Sequence, residues 1–157
     1  MCCGHSYDEP YDKSAITIRK AQPEDARVVA LLSEQLGYPA SSEDILNRLS
    51  HIKSDESHVV YVAELTDKQV IGWVHIHTCP LIIADAVAEI KGIVVEEKYR
   101  DKGVGKLLMA HAEEWARKKG CKIIWVSSNT KREGVHYFYQ RIGYDNVKIS
   151  RIFHKTL

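Results

Sequence analysis

Charge of one sign is what this 157-residue chain most lacks: 22 Lys and Arg stand against 21 Asp and Glu, a formal net charge of +1. No global field therefore argues for nucleic acid or an anionic membrane, and any charge argument must be local. No apolar run approaches about 18 residues, so no transmembrane helix is indicated. The opening residues, Met1-Cys2-Cys3-Gly4-His5-Ser6-Tyr7-Asp8, have no apolar core of the kind a signal peptide needs. Cysteine is scarce. The four, at positions 2, 3, 79 and 121, form no framework of spaced pairs, and reduced thiols in a cytoplasmic protein are the simpler reading. Cys2, Cys3 and His5 are soft-metal donors, but so short a terminal cluster reads better as leader than as a site. His75-x-His77-x-Cys79 puts three donors on one strand face, yet no fourth zinc ligand is evident nearby, so no metal is assigned. Internal repeats, linkers and low-complexity tracts are missing too. What remains is an ordinary globular composition, 45% hydrophobic and 27% charged. It predicts one domain over residues 15–157 after a flexible polar lead-in over 1–14.

Periodicity then gives the elements. Ala15 to Lys20 alternates as a first strand. Pro23 opens a helix whose stripe is Val28, Val29, Leu32 and Leu36, and Gly37 stops it. Ser41-x-x-Asp44 predicts a capping box for a second helix with Ile45, Leu46, Leu49 and Ile52 inward. His58 to Leu65 and Val70 to Thr78 flank a polar turn and predict an antiparallel hairpin. The connection from Cys79 to Asp85 carries apolar Leu81-Ile82-Ile83. Such a loop lies against a partner subunit, which would make a homodimer, or over a pocket, or as a satellite of the core; the sequence leaves these open. Ala86 to Val95 is a fourth strand. Val104, Leu107, Leu108, Ala112, Trp115 and Ala116, with His111, mark the clearest helix. Lys122 to Ser127 reads as a strand buried on both faces. Arg132 to Arg141 predicts a last helix and Lys148 to Lys155 a terminal strand. A helix between the fourth and fifth strands makes that pair parallel and the remaining pairs antiparallel. The fold class is α/β (α+β).

The informative stretch is Ile90 to Gly105. An apolar strand ends at Ile93-Val94-Val95, a charged turn follows, and Gly103-x-Gly105 opens a helix. Free amides at such a helix start favour an anion. The spacing is neither that of a P-loop nor the three-glycine dinucleotide fingerprint. Arg100-x-x-Gly103-x-Gly105 resembles the acetyl-CoA pyrophosphate loop of the GCN5-related N-acetyltransferase (GNAT) superfamily. Phe138-Tyr139-x-x-x-Gly143-Tyr144 resembles the second signature of the same superfamily. The run Arg132-Glu133-x-Val135-His136-x-Phe138-Tyr139 is similar to the branch that includes aminoglycoside 6′-N-acetyltransferases.

The resemblance implies a mixed, mostly antiparallel sheet of six or seven strands, with a splayed parallel central pair and about four helices. It implies an acetyl-CoA-dependent N-acetyltransferase in which a primary amine attacks the thioester directly in a ternary complex. Cofactor contacts are expected from Ile93, Val94 and Val95, from Arg100, Asp101, Lys102, Gly103, Val104, Gly105 and Lys106, and from Asn129, His136, Phe138 and Tyr139. An amide near Val94 or Val95 would face the acyl oxygen. Tyr139 is the candidate acid for the departing thiolate. Glu89 is the candidate base, with His136 its rival. Strict alternation puts Glu89, Lys91, Ile93 and Val95 on one face. Two departures stand out: Asp101 occupies a position that is commonly glycine, and the gap from Asn129 to Tyr139 is longer than in many relatives. Lys98, Arg100, Lys102 and Lys106, with Lys131, Arg132 and Arg141, outweigh the acid at 101. No cysteine falls in either motif, which argues against an acetyl-cysteine intermediate. The alternatives are acetylation of a protein N-terminus or lysine, and an acyl-CoA sensor without catalysis. The acceptor has no readable code.

Overall fold

The computed structural model describes residues 15–157; the expected lead-in, with Cys2, Cys3 and His5, lies outside the described residues. The chain divides into two compact units, one running to Val126 and one from Ser127 to Leu157. The first unit holds a sheet in the order β1-β2-β3-β4-β5. Strands β1 (Ile16–Lys20), β2 (His58–Leu65), β3 (Val70–Cys79) and β4 (Val87–Val95) pair antiparallel, and β5 (Ile124–Val126) joins β4 in parallel. The mixed, mostly antiparallel sheet with β4 and β5 parallel is as expected, but the parallel pair lies at the end of the five described strands and not at the centre. Its strand count is lower: five among the described residues, not six or seven.

Helices α1 (Ala26–Leu36) and α2 (Ser42–Lys53) cover one face of the sheet. Pro23 lies in a 3-10 turn leading into α1, and Gly37 ends the helix at φ +95°. A left-handed stop of this kind suits glycine. The predicted capping box opens α2: Asp44 N–H donates to Ser41 Oγ at 3.0 Å and Ser41 N–H to Asp44 Oδ2 at 3.4 Å. Val29, Leu32, Ile45 and Leu49 pack with Val60, Val62, Trp73 and Val94. Leu46, assigned to that inner face, is 39% exposed. Helix α3 (Val104–Lys118) covers the opposite face through buried Val104, Leu108, Met109 and Ala112. Its wet side carries Glu113–Arg117 and Glu114–Lys118 pairs, at 3.6 and 3.8 Å.

Two local expectations fail, and one open alternative is decided. Strand β5 is short, and Ile123 and Trp125 are exposed, so it is not the strand buried on both faces that its apolar run suggests. Residues 148–155 form no strand; alternation predicts which side chains would share a face and does not by itself make a ladder. Ile82 and Ile83 are fully exposed, so the apolar connection is no satellite of the core. The second unit contains α4 (Glu133–Arg141) followed by Gly143 at φ +98°. No helix among the described residues is long and apolar enough to cross a membrane.

Candidate active site

Strand β4 changes partner and phase at one point. On the β3 side, Ile76 pairs with Ile90 but His75 pairs with Gly92, so Lys91 is skipped. This is a bulge, which bends its strand and sharpens the local twist. On the β5 side, the pairing Ala88–Ile124, Glu89–Trp125, Ile90–Val126 ends one residue before that bulge. Beyond it, Lys91 to Val95 hold β3 alone.

The bulge also corrects the expected alternation. Glu89 lies opposite His77, Gly92 opposite His75 and Val94 opposite Trp73. Glu89 therefore shares its face with Gly92 and Val94, not with Ile93 and Val95. The inserted residue shifts every later side chain to the other face. Glu96 N–H bonds Ile71 O on β3 at 2.8 Å. Peptide direction alternates along a strand, so the peptide of Val95, the residue before it, faces the unpaired edge. There the Val95 carbonyl accepts from Arg100 Nε at 3.0 Å. Of Val94 and Val95, Val95 is the one whose peptide points away from β3.

The charged turn continues this edge. Asp101 sits at φ +60° and Gly103 at φ +86°. Both are left-handed, where glycine is at ease and aspartate is tolerated. Glycine would hold the Asp101 conformation with less strain. Gly103 caps α3, and no side chain bonds the helix start. The first amides of Val104, Gly105 and Lys106 thus carry the positive end of a 15-residue helix. The side chains of Lys98, Arg100, Lys102 and Lys106 are exposed around it.

Glu89 does not stand alone. Its Oε2 accepts from His77 Nε2 at 3.1 Å and its Oε1 from Lys91 Nζ at 3.3 Å. Burial alone would raise this carboxyl, but the bonds from His77 and Lys91 hold it below the usual range. His77 stacks on His58, with centroids 5.1 Å apart. His58 Nδ1 meets His75 Nε2 at 3.0 Å, and its Nε2 lies 3.8 Å from Asp55. Burial, with His58, His77 and Lys91 adding to it, pushes His75 down to about 4. The sequence shows His75 and His77 on one face; it hides His58 and Glu89, which the strand register brings beside them. Among the described residues, no group of three or more His, Cys, Asp or Glu is arranged to hold a metal ion.

In the second unit, Tyr139 is buried, its ring against Phe138 and Tyr144 at 5.3 and 5.9 Å. Burial pushes its phenol up to about 12, against a smaller opposite pull from Arg132. Asn129 Oδ1 accepts from Lys131 N–H at 2.9 Å, and Asn129 O accepts from His136 Nε2 at 2.8 Å. His136 is thus tied to the loop before α4. Arg141 lies over the Tyr137 ring at 5.7 Å.

A family model described as the acetyltransferase (GNAT) family matches residues 25–144. The aminoalkylphosphonate N-acetyltransferase of Salmonella typhimurium is 32% identical over 133 residues, 81% of this chain and 83% of its own. The aminoglycoside N(6′)-acetyltransferase type 1 of Stenotrophomonas maltophilia is 26% identical over 139 residues, 86% of this chain and 90% of its own. Among solved structures, the aminoglycoside N-acetyltransferase AAC(6′)-Iy in complex with CoA aligns with a TM-score of 0.80 at 20% identity, covering 90% of this chain and 95% of that one.

The chain belongs to the GNAT acetyltransferase family. The expectations of an N-acetyltransferase enzyme and of an acetyl-CoA donor stand with that membership. The run Arg100-x-x-Gly103-x-Gly105 lies on the turn before α3 and its first residues, and Phe138-Tyr139-x-x-x-Gly143-Tyr144 lies on α4 and the residues after it. The family match runs across both units, from Asp25 to Tyr144.

Proposed function

We propose that this GNAT enzyme transfers acetyl from acetyl-CoA to the primary amine of a small molecule, by direct attack in a ternary complex, with residues 15–157 as one transferase domain. The observation that carries the reading is the coincidence on β4: the ladder to β5 stops at Ile90, a bulge follows at once, and the same strand leads through a charged turn to a helix start whose N-cap is a glycine. An extended pantetheine arm suits the unpaired edge of residues 91–95. A diphosphate suits the amides of Val104, Gly105 and Lys106.

The chemistry follows from charge. The amine nitrogen bonds to the thioester carbon, and negative charge gathers on its oxygen. The Val95 amide, fixed before substrate arrives, is the donor we assign to it. The carbon–sulfur bond then breaks and a thiolate leaves. Tyr139, like any phenol, is protonated at neutral pH, so it meets the thiolate as a neutral donor and gives up its proton as sulfur departs; burial makes it a weaker acid than usual, so its contribution rests on being held in hydrogen-bond reach. Holding both reactants in line contributes at least as much as proton transfer.

Both curated relatives act on small amines by name, one an aminoalkylphosphonate and one an aminoglycoside; this favours a small acceptor over a protein N-terminus or lysine. The exposed Ile82 and Ile83 favour a homodimer. The test is acetyl-CoA cleavage against a panel of aminoalkylphosphonates, aminoglycosides and peptides, with products weighed by mass spectrometry. Cleavage that depends on an added small amine is expected. CoA binding with no amine-dependent cleavage would replace the enzyme by a sensor. Tyr139→Phe should lower kcat by roughly 10²-fold with CoA affinity nearly intact; an unchanged kcat removes Tyr139 from the mechanism.

A further inference from the structure

The cluster around Glu89 contains more acid–base machinery than one carboxylate base requires. The ordinary ammonium group of an amine holds its proton far more tightly than a carboxylate does. Glu89 is a still weaker acceptor than usual, because His77 and Lys91 occupy its two oxygens at 3.1 and 3.3 Å and hold it ionised. A lone Glu89 would take the proton against a steep gradient. The group bonded to it is an imidazole, the side chain whose ordinary affinity lies nearest neutrality.

The neighbours orient that imidazole. His77 Nε2 donates to Glu89, which leaves Nδ1 as the ring's basic nitrogen in the neutral form. Its ring stacks on His58 at an interplanar angle of 16°. His58 is pinned between His75 at 3.0 Å and Asp55 at 3.8 Å. These groups come from the α2–β2 turn (Asp55), β2 (His58), β3 (His75, with Cys79 two residues beyond His77) and β4 (Glu89, Lys91). His75, pushed down by burial, stays neutral near pH 7 and adds no charge beside the dyad. A carboxylate holding one nitrogen of a histidine while the other accepts is a known way to build a base near neutral pH.

We propose that His77 and Glu89 work as one dyad, in which the proton lost by the attacking amine ends on His77 while Glu89 orients the ring and stabilises the imidazolium that forms. The step balances: the amine's N–H bond breaks, a His77 Nδ1–H bond forms, and the proton leaves to water in the next turnover. The inference rests on the acetyltransferase reading and replaces Glu89 as the sole base within it.

The test is the pH dependence of kcat/KM between pH 5.5 and 9.5, with acetyl-CoA and the amine that the panel above shows to be turned over fastest. His77→Gln keeps an N–H for Glu89 but cannot take up a proton. Expected is a loss of roughly 10²-fold near pH 7, with the remaining rate climbing about tenfold per pH unit toward the amine's own pKa, as free amine replaces the missing base. Glu89→Gln should move the wild-type acid limb to lower pH, because the imidazolium loses its counter-charge. CoA affinity and melting temperature are read alongside, and the Glu89→Gln limb still decides if His77→Gln folds poorly. A profile for His77→Gln that runs parallel to wild type, or a Glu89→Gln limb that does not move, overturns the dyad. Failure of the wild type to cleave acetyl-CoA with any amine would instead count against the acetyltransferase reading.

Discussion

Arg19 shows what a single side chain does for this fold. Its guanidinium reaches Asp25 through Nη1 and Nη2 at 2.8 and 2.9 Å, and Glu64 through Nε and Nη2 at 2.8 and 2.7 Å. Both acids are buried, while Arg19 is 31% exposed at its side chain. One residue therefore ties β1, the turn into α1 and the end of β2. Nothing in the sequence announces this, since position 64 lies 45 residues from position 19 and ion pairs carry no periodicity. Arg19→Met leaves buried Asp25 without its counter-charge and Glu64 with only exposed Lys68, at 3.5 Å. The roughly 3–5 kcal/mol typical of breaking a buried pair should shrink to about 2–3 here, because Arg19 keeps some solvent. Urea titration at pH 7 measures it. The Arg19 bonds hold Glu64 below its usual range, and they outweigh burial at Asp25 to do the same. Carboxyls depressed in the folded state stabilise it fully above about pH 5 and lose that contribution as pH falls through and below the ordinary carboxylate range. The gap between wild type and Arg19→Met should therefore close on acidification. A gap that persists at pH 3 would show that packing, not charge, carries the effect.

Among elements, β4 and the turn after it decide whether there is a site at all. The strand, its parallel partner and the following helix were legible, because apolar alternation, two glycines and a helical stripe occur in one unbroken run. The bulge was not. Skipping Lys91 leaves the apolar pattern of Ile90, Ile93, Val94 and Val95 equally readable in either phase, and only the partner strand's register fixes it. The histidine cluster was hidden for the same reason, since it forms across three strands. The turn gives two tests. Asparagine and aspartate both tolerate the left-handed conformation at Gly103, so Gly103→Asn and Gly103→Asp share shape and differ in charge. Aspartate should bind CoA at least about tenfold more weakly than asparagine, because it sets an anion beside the helix start; equal affinities in calorimetry would dismiss the diphosphate from this turn. Asp101→Gly should act in the opposite sense. It relaxes a backbone at φ +60° and removes a negative charge, so CoA affinity should rise several-fold.

For the whole molecule the governing quantity is a net charge of +1. CoA is a polyanion, yet the protein offers it no long-range attraction. The pull must come from Lys98, Arg100, Lys102 and Lys106, gathered within nine consecutive residues about the start of α3. Local attraction and global stability should therefore respond to salt differently. Added salt shortens the screening length from about 10 Å at 0.1 M toward 3 Å at 1 M. It should weaken CoA binding several-fold, while the melting temperature of the ligand-free protein barely moves, because there is little self-repulsion to relieve. CoA at about 100 times its Kd should add about 2.7 kcal/mol to folding, a rise in Tm of roughly 5–10 °C for a chain of this length. Differential scanning fluorimetry across a salt series separates the two responses. A CoA-induced shift that ignores salt would mean that amides and apolar contacts hold the carrier and the four cations do not, whereas a ligand-free Tm that falls with the CoA affinity would place those cations in the fold instead of the site.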